Sequence, residues 1–125
     1  MTIKLYTIQW HDWDVVVEID HDILTGDKMH QINNFWTGAD DRLADANDNI
    51  TAAVLANLAA RCFTLMIEYR YTVGGIIGLF SWTDHYNGGP QEGWPNMDGS
   101  DGIRLISVDE ISFDPIDMHI KELKP

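Results

Sequence analysis

Apolar and polar positions alternate at period two over residues 15–22, after an opening stretch rich in apolar residues. "TIKLYTIQW" (2–10) is dominated by β-branched and aromatic residues and predicts a strand. "HDWD" has turn character. In the run that follows, "VVVEIDHDIL" (15–24), Val15, Val17 and Ile19 share one side, while Glu18, Asp20 and Asp22 fall on the other. A hairpin over 2–23 is the economical reading. The period then changes. Met29, Ile32, Phe35 and Trp36 recur at three- and four-residue spacing, predicting a helix over about 26–36 with Thr25 as its cap and Gly38 as its stop.

"ADDRLADANDN" is polar, with room for one short helical turn, and Asp48 or Asn49 can cap a helix starting near Ile50. From Ile50 the chain is apolar almost all round. Only Asn57, Arg61, Thr64 and Glu68 form a thin polar stripe, the pattern of a central helix buried on most sides. Its length also suits a membrane span, but Asn57 and Arg61 interrupt it and no basic flank follows, so a span is not expected. Gly74 and Gly75 are expected to end it. "IIGLFSWTDHYN" (76–87) is open between helix and strand, and "GGPQEGWPNMDGSDG" (88–102) reads as a loop. "IRLISVDEISF" (103–113) predicts a strand, bulged near Asp109–Glu110. "IDMHIKEL" (116–123) predicts another, with Ile116, Met118 and Ile120 inward. The expected architecture is a single α+β domain over 1–125, in the order ββααββ. It has a four-stranded antiparallel sheet, two N-terminal and two C-terminal strands, with two main helices on one face.

Charge changes this picture more than composition does. Twenty Asp and Glu face eight Lys and Arg, a formal net charge of -12. Residues 9–49 alone hold ten acids and two bases, whereas 50–83 are nearly neutral. A chain without a basic footprint is a poor direct ligand for nucleic acid or for anionic membranes. Carboxylates on alternate strand residues stand roughly 6.5–7 Å apart, comparable to successive phosphates of one nucleic-acid strand. The functional expectation is therefore an acidic face that docks on a basic protein. Glu18, Asp20, Asp22, Asp40, Asp41, Asp45 and Asp48 supply its charge, and Trp13 or Trp94 an exposed apolar anchor. The alternative is acidity that serves solubility only, in a structural or accessory protein that pairs as a homodimer through an open strand edge.

Catalytic and metal-binding patterns are sparse. "DANDN" (45–49) and "NMDGSDG" (96–102) resemble the starts of calcium loops, but each lacks the glycine at position six. Turns explain both better. His11, His21, His30, His85 and His119 show no metal-ligand spacing, and Cys62 lies inside the apolar helix, where a thiol is inert. "GGIIG" lacks the Lys and Ser or Thr of a phosphate-cradling loop. No enzyme, cofactor or metal is expected. The opening fifteen residues lack the features of a signal peptide, and the lone Cys62 forms no internal disulfide, so a cytoplasmic location is the expectation.

"INNFW", "ADDRLADA" and "EGWP", within the longer stretches 18–61 and 92–111, resemble a family of small uncharacterised proteins of enterobacterial and phage or prophage origin, domain of unknown function 2528. That resemblance implies no activity and no catalytic residues. It implies a setting, mobile DNA, in which small acidic proteins can disable host machines such as restriction or CRISPR systems.

Overall fold

Antiparallel pairing begins at the turn His11–Asp12, where Trp10 faces Trp13 across a two-residue loop and His11 takes a left-handed φ of 54°. In the computed structural model, which describes residues 2–83 and 91–124, this turn joins β1 (Ile3–Trp10) to β2 (Trp13–Asp20). β2 is the middle strand. Val15, Val17 and Ile19 are fully buried, while Val16, Glu18 and Asp20 look out from the other side. β3 (Ile103–Val108) pairs antiparallel with β2, and the sheet order is β1-β2-β3. Val16 faces Ser107 but Val17 faces Leu105, so Ile106 is the extra residue of a bulge. The expected bulge at Asp109–Glu110 is not there: those residues lie past the strand.

Helices cover only the inner face. α1 (Gly26–Asn34) starts at Thr25, whose side chain accepts from the Lys28 amide, and stops two residues short of the expected end. α2 (Ala39–Asp45) follows. α3 (Ile50–Tyr69) is capped by the Asn49 side chain, which accepts from the Ala52 amide. It has the length and mean hydropathy (1.7) to cross a membrane, but half of that span is buried against the sheet and its neighbouring helices. α3 ends at Arg70, held left-handed at φ 53° with its amide on the Met66 carbonyl. Gly74 and Gly75 do not stop it. They lie inside a further helix, α4 (Val73–Phe80), capped by Thr72. A Cβ at Gly75 would come within 2.6 Å of the Tyr71 side chain, so this glycine permits a close approach within the helical turn.

Among the described residues, the expected four-stranded sheet in ββααββ order is corrected to three antiparallel strands and four helices, in the order ββααααβ. Residues 116–123 form no strand. After a 3-10 turn at Pro115–Asp117 they run exposed, Ile116 at 84 % and Ile120 at 98 %. Alternation in the sequence predicted a strand, but a strand also needs a neighbour, and β3 has none to offer. The outer edge of β3 is already held by the loop before it: Leu105 donates to the Met97 carbonyl at 3.0 Å and Gly99 to that of Ile103 at 2.9 Å. The core lies between β2, β3 and the helices, around Ile19, Leu58, Cys62, Ile76, Phe80 and Leu105.

Candidate functional site

Seven-residue α2 carries the densest charge of the chain. Asp40, Asp41 and Asp45 are exposed on it, and Asp48 follows in a left-handed turn with φ 63°. Acids in the first turn suit the positive end of a helix. Arg42, the one base in α2, does not neutralise them. Its guanidinium points inward, donating to the carbonyls of Thr37 (2.8 Å), Asn33 (2.8 Å) and Trp36 (3.0 Å) and to Asn33 Oδ1 (3.0 Å). Asn33, 2 % exposed, closes the loop by donating to the Ala39 carbonyl at 3.1 Å. The result is a clasp: Arg42 satisfies carbonyls that α1 leaves open at its end, and α2 is locked to α1 with its carboxylates outward.

The hairpin acids sit elsewhere. Glu18 and Asp20 occupy the outer face of the sheet, whereas α2 packs on α3 behind the inner face. The structure thus brings Asp40, Asp41, Asp45 and Asp48 together and sets Glu18, Asp20 and Asp22 apart from them. Glu18 lies between apolar Leu5 on β1 and basic Arg104 on β3. Asp20 accepts from the Asp22 amide at 3.0 Å, and Asp22 from the Thr2 hydroxyl at 3.3 Å. These three carboxylates partly serve the end of the hairpin.

Trp13 is half-buried and stacks on the exposed Trp10, ring centroids 5.5 Å apart, with His11 edge-on to both. Trp94 is corrected from exposed anchor to core residue. It is 4 % exposed and packs against Trp36 at 4.8 Å and Phe80 at 6.4 Å. Its polar flanks suggested the surface, but the residue before it tells otherwise. Gly93 has φ 84°, and a Cβ there would meet Phe35 at 2.5 Å and Trp36 at 2.7 Å. "EGWP" therefore packs backbone-first onto "NFW". Beside this contact is an open cleft of about 400 Å³, lined by Ile23, Lys28, Phe35, Trp82, Trp94 and Pro95 among others.

Of the two segments that resembled calcium loops, 96–102 engages its carboxylates in its own turn. Asp98 accepts from the Ser100 hydroxyl (2.6 Å) and amide (2.9 Å), and these bonds hold its carboxyl below the ordinary range. Asp101 accepts from the Asn96 amide and side chain. His21 is bonded to the Tyr6 hydroxyl at 2.7 Å, and burial pushes the Cys62 thiol up to about 12. His85 lies outside the described residues. Among the described residues no three His, Cys, Asp or Glu side chains gather as a metal-holding group. Sequence reasoning missed the clasp and the cleft. One signal was available: Asn33 shares a helix face with Met29 and Ile32, and a polar residue on an apolar face calls for a buried partner.

Comparison with known proteins gives a consistent answer. The family described as protein of unknown function (DUF2528) matches residues 14–120. Protein ea10 of Escherichia phage lambda and a lambda prophage-derived protein ea10 of Escherichia coli O6:H1 are each 43% identical over 122 residues, covering 95% of this chain and 96% of theirs. No solved structure matches.

Proposed function

The chain belongs to the DUF2528 family of proteins of unknown function, with relatives in a phage and a prophage, and on that footing we propose a non-enzymatic binding role. The acidic ridge Asp40, Asp41, Asp45 and Asp48 docks on a basic protein surface, in the manner of a nucleic-acid mimic that occupies a cationic groove of a host machine. One observation carries this reading: Arg42, placed among these acids, is turned inward onto four oxygens, so α2 presents carboxylates without their nearest base. Asp41 and Asp45 stand about one turn apart, roughly 6 Å along the helix axis, close to the phosphate repeat of one strand. Such a surface steers a basic partner over distances of about a Debye length, ~8 Å at physiological salt. The exposed Trp10, with Trp13 beneath it, supplies an apolar contact at the hairpin turn.

The test compares the native chain with a variant carrying Asp40→Asn, Asp41→Asn, Asp45→Asn and Asp48→Asn, each immobilised and exposed to host lysate at low and high salt. A basic partner should be retained by the native chain, released as salt rises, and lost in the variant, whose melting midpoint should hold. Equal retention by both chains would rule out the ridge as the docking surface.

A further inference from the structure

Along β1 the sheet has an open edge. The Thr2 carbonyl accepts from the His21 amide at 2.9 Å, so the backbone groups of the alternate residues Ile3, Leu5, Thr7 and Gln9 turn away from β2. The other edge is covered by the Met97–Gly99 loop. Beside β1, and floored by α3, lies a groove of about 420 Å³ whose walls include Ile8, Trp10, Ala56, Ala60, Phe63 and Ile67. Ala56, Ala60 and Ile67 thus form an apolar strip of α3 alongside its polar stripe, where the helix passes this edge. Residues 115–124 hold the complementary feature: Ile116, Met118 and Ile120 alternate with Asp117, His119 and Lys121, and all three apolar side chains are exposed.

We propose that residues 115–121 of one copy seat in the β1–α3 groove of a second copy, with Ile116, Met118 and Ile120 turned onto Ala56, Ala60 and Ile67. Charge favours this occupant. Two chains of net charge -12 repel over most of their surfaces, but residues 115–124 balance Asp117 and Glu122 with Lys121 and Lys124, and the walls of the groove carry no charged side chain. Self-association is therefore available where both surfaces are neutral and apolar. The segment also starts in the right place. Residues 112–119 run past the hairpin turn, next to Trp10, which is itself at the rim of the groove. Reciprocal exchange about a two-fold axis covers both grooves and both segments with one self-complementary contact.

The experiment mixes two single variants, Ala60→Cys and Ile120→Cys, under mild oxidation, alongside light scattering of the unmodified chain. Buried Cys62 does not compete. The expected results are a cross-linked heterodimer in the mixture and a mass twice that of the chain, falling to the single-chain mass on dilution. Ile120→Asp, at a site exposed in the single copy, should keep its circular dichroism and give the single-chain mass at every concentration. The proposal is overturned by a single-chain mass for the unmodified protein at its highest soluble concentration, or by a dimer that survives Ile120→Asp. It is equally overturned by cross-linking that occurs only within the double variant Ala60→Cys/Ile120→Cys, which would place the segment in its own groove.

Discussion

Replacing Arg42 with methionine keeps the aliphatic stem and removes the guanidinium. Four hydrogen bonds go with it, three to backbone carbonyls and one to the Asn33 side chain. Their values do not simply add, because the carbonyls of Thr37 and of the end of α1 lie near the surface and can recover water. Asn33 Oδ1 cannot recover it as easily, since Asn33 is buried, and an unsatisfied buried acceptor costs about 1–3 kcal/mol. With roughly 0.5–1 kcal/mol more for the partly rehydrated carbonyls, the expected loss is about 1.5–4 kcal/mol. That is a large share of the ~5–15 kcal/mol holding a typical domain together, or roughly 10 °C in melting midpoint. Arg42→Lys keeps the charge but cannot reproduce the planar fork, and should lose about 1–2 kcal/mol. Urea unfolding followed by tryptophan fluorescence measures both, and Trp36 lies within the clasped segment. A double-mutant cycle with Asn33→Ala isolates the pair. The reasoning is refuted if Arg42→Lys matches the native chain within about 0.5 kcal/mol, or if the cycle shows strict additivity.

Gly93→Ala should destabilise by about 2–4 kcal/mol, since the new methyl meets Phe35 and Trp36 at a left-handed φ; a calorimetric midpoint equal to the native one would contradict the packing described. Arg70→Gly should stabilise by about 0.5–1 kcal/mol, because Arg70 ends α3 in a conformation that suits glycine. The 3.4 Å ion pair it gives up with Glu110 is exposed on both sides and worth little. Ser100→Ala removes the hydroxyl hydrogen bond that favours ionised Asp98 and leaves the one from the Ser100 backbone amide. A carboxyl depressed in the fold contributes stability above its unfolded value of about 3.8, and that contribution is lost as pH falls through the lower folded value. The difference in melting midpoint between Ser100→Ala and the native chain should therefore be full at neutral pH and shrink progressively below about pH 4; a pH-independent difference would mean that Asp98 is not the group involved.

Local chemistry was legible in the sequence wherever it was decided within a few residues. Thr25 announces the start of α1 and the pair Asp48–Asn49 that of α3, where Asn49 proves to be the cap, and the alternation of Val15, Val17 and Ile19 gives the inner face of β2. Legibility failed where distant atoms decide. Gly74 and Gly75 look like a stop because glycine usually is one, but the stop is Arg70, and Gly75 is explained by the Tyr71 ring. Residues 116–123 have the alternation of a strand but pair with none of the three strands. Trp94 has polar flanks and an aromatic berth formed by Trp36, nearly sixty positions away, together with Phe80. Of the acids, the group on α2 was readable as a cluster. Its separation from Glu18, Asp20 and Asp22 depends on which layer each element joins, and local spacing does not encode layers.

Because the clasp is anchored from beneath by Arg42, the aspartates above it add little to the scaffold beyond the helix-dipole contribution of Asp40 and Asp41. Each can be exchanged for its amide without disturbing α1 or α2, so the appearance of this surface to a visitor and the integrity of the scaffold are separable properties. A lineage pressed by a changing counterpart could rewrite that ridge one letter at a time while leaving the architecture untouched.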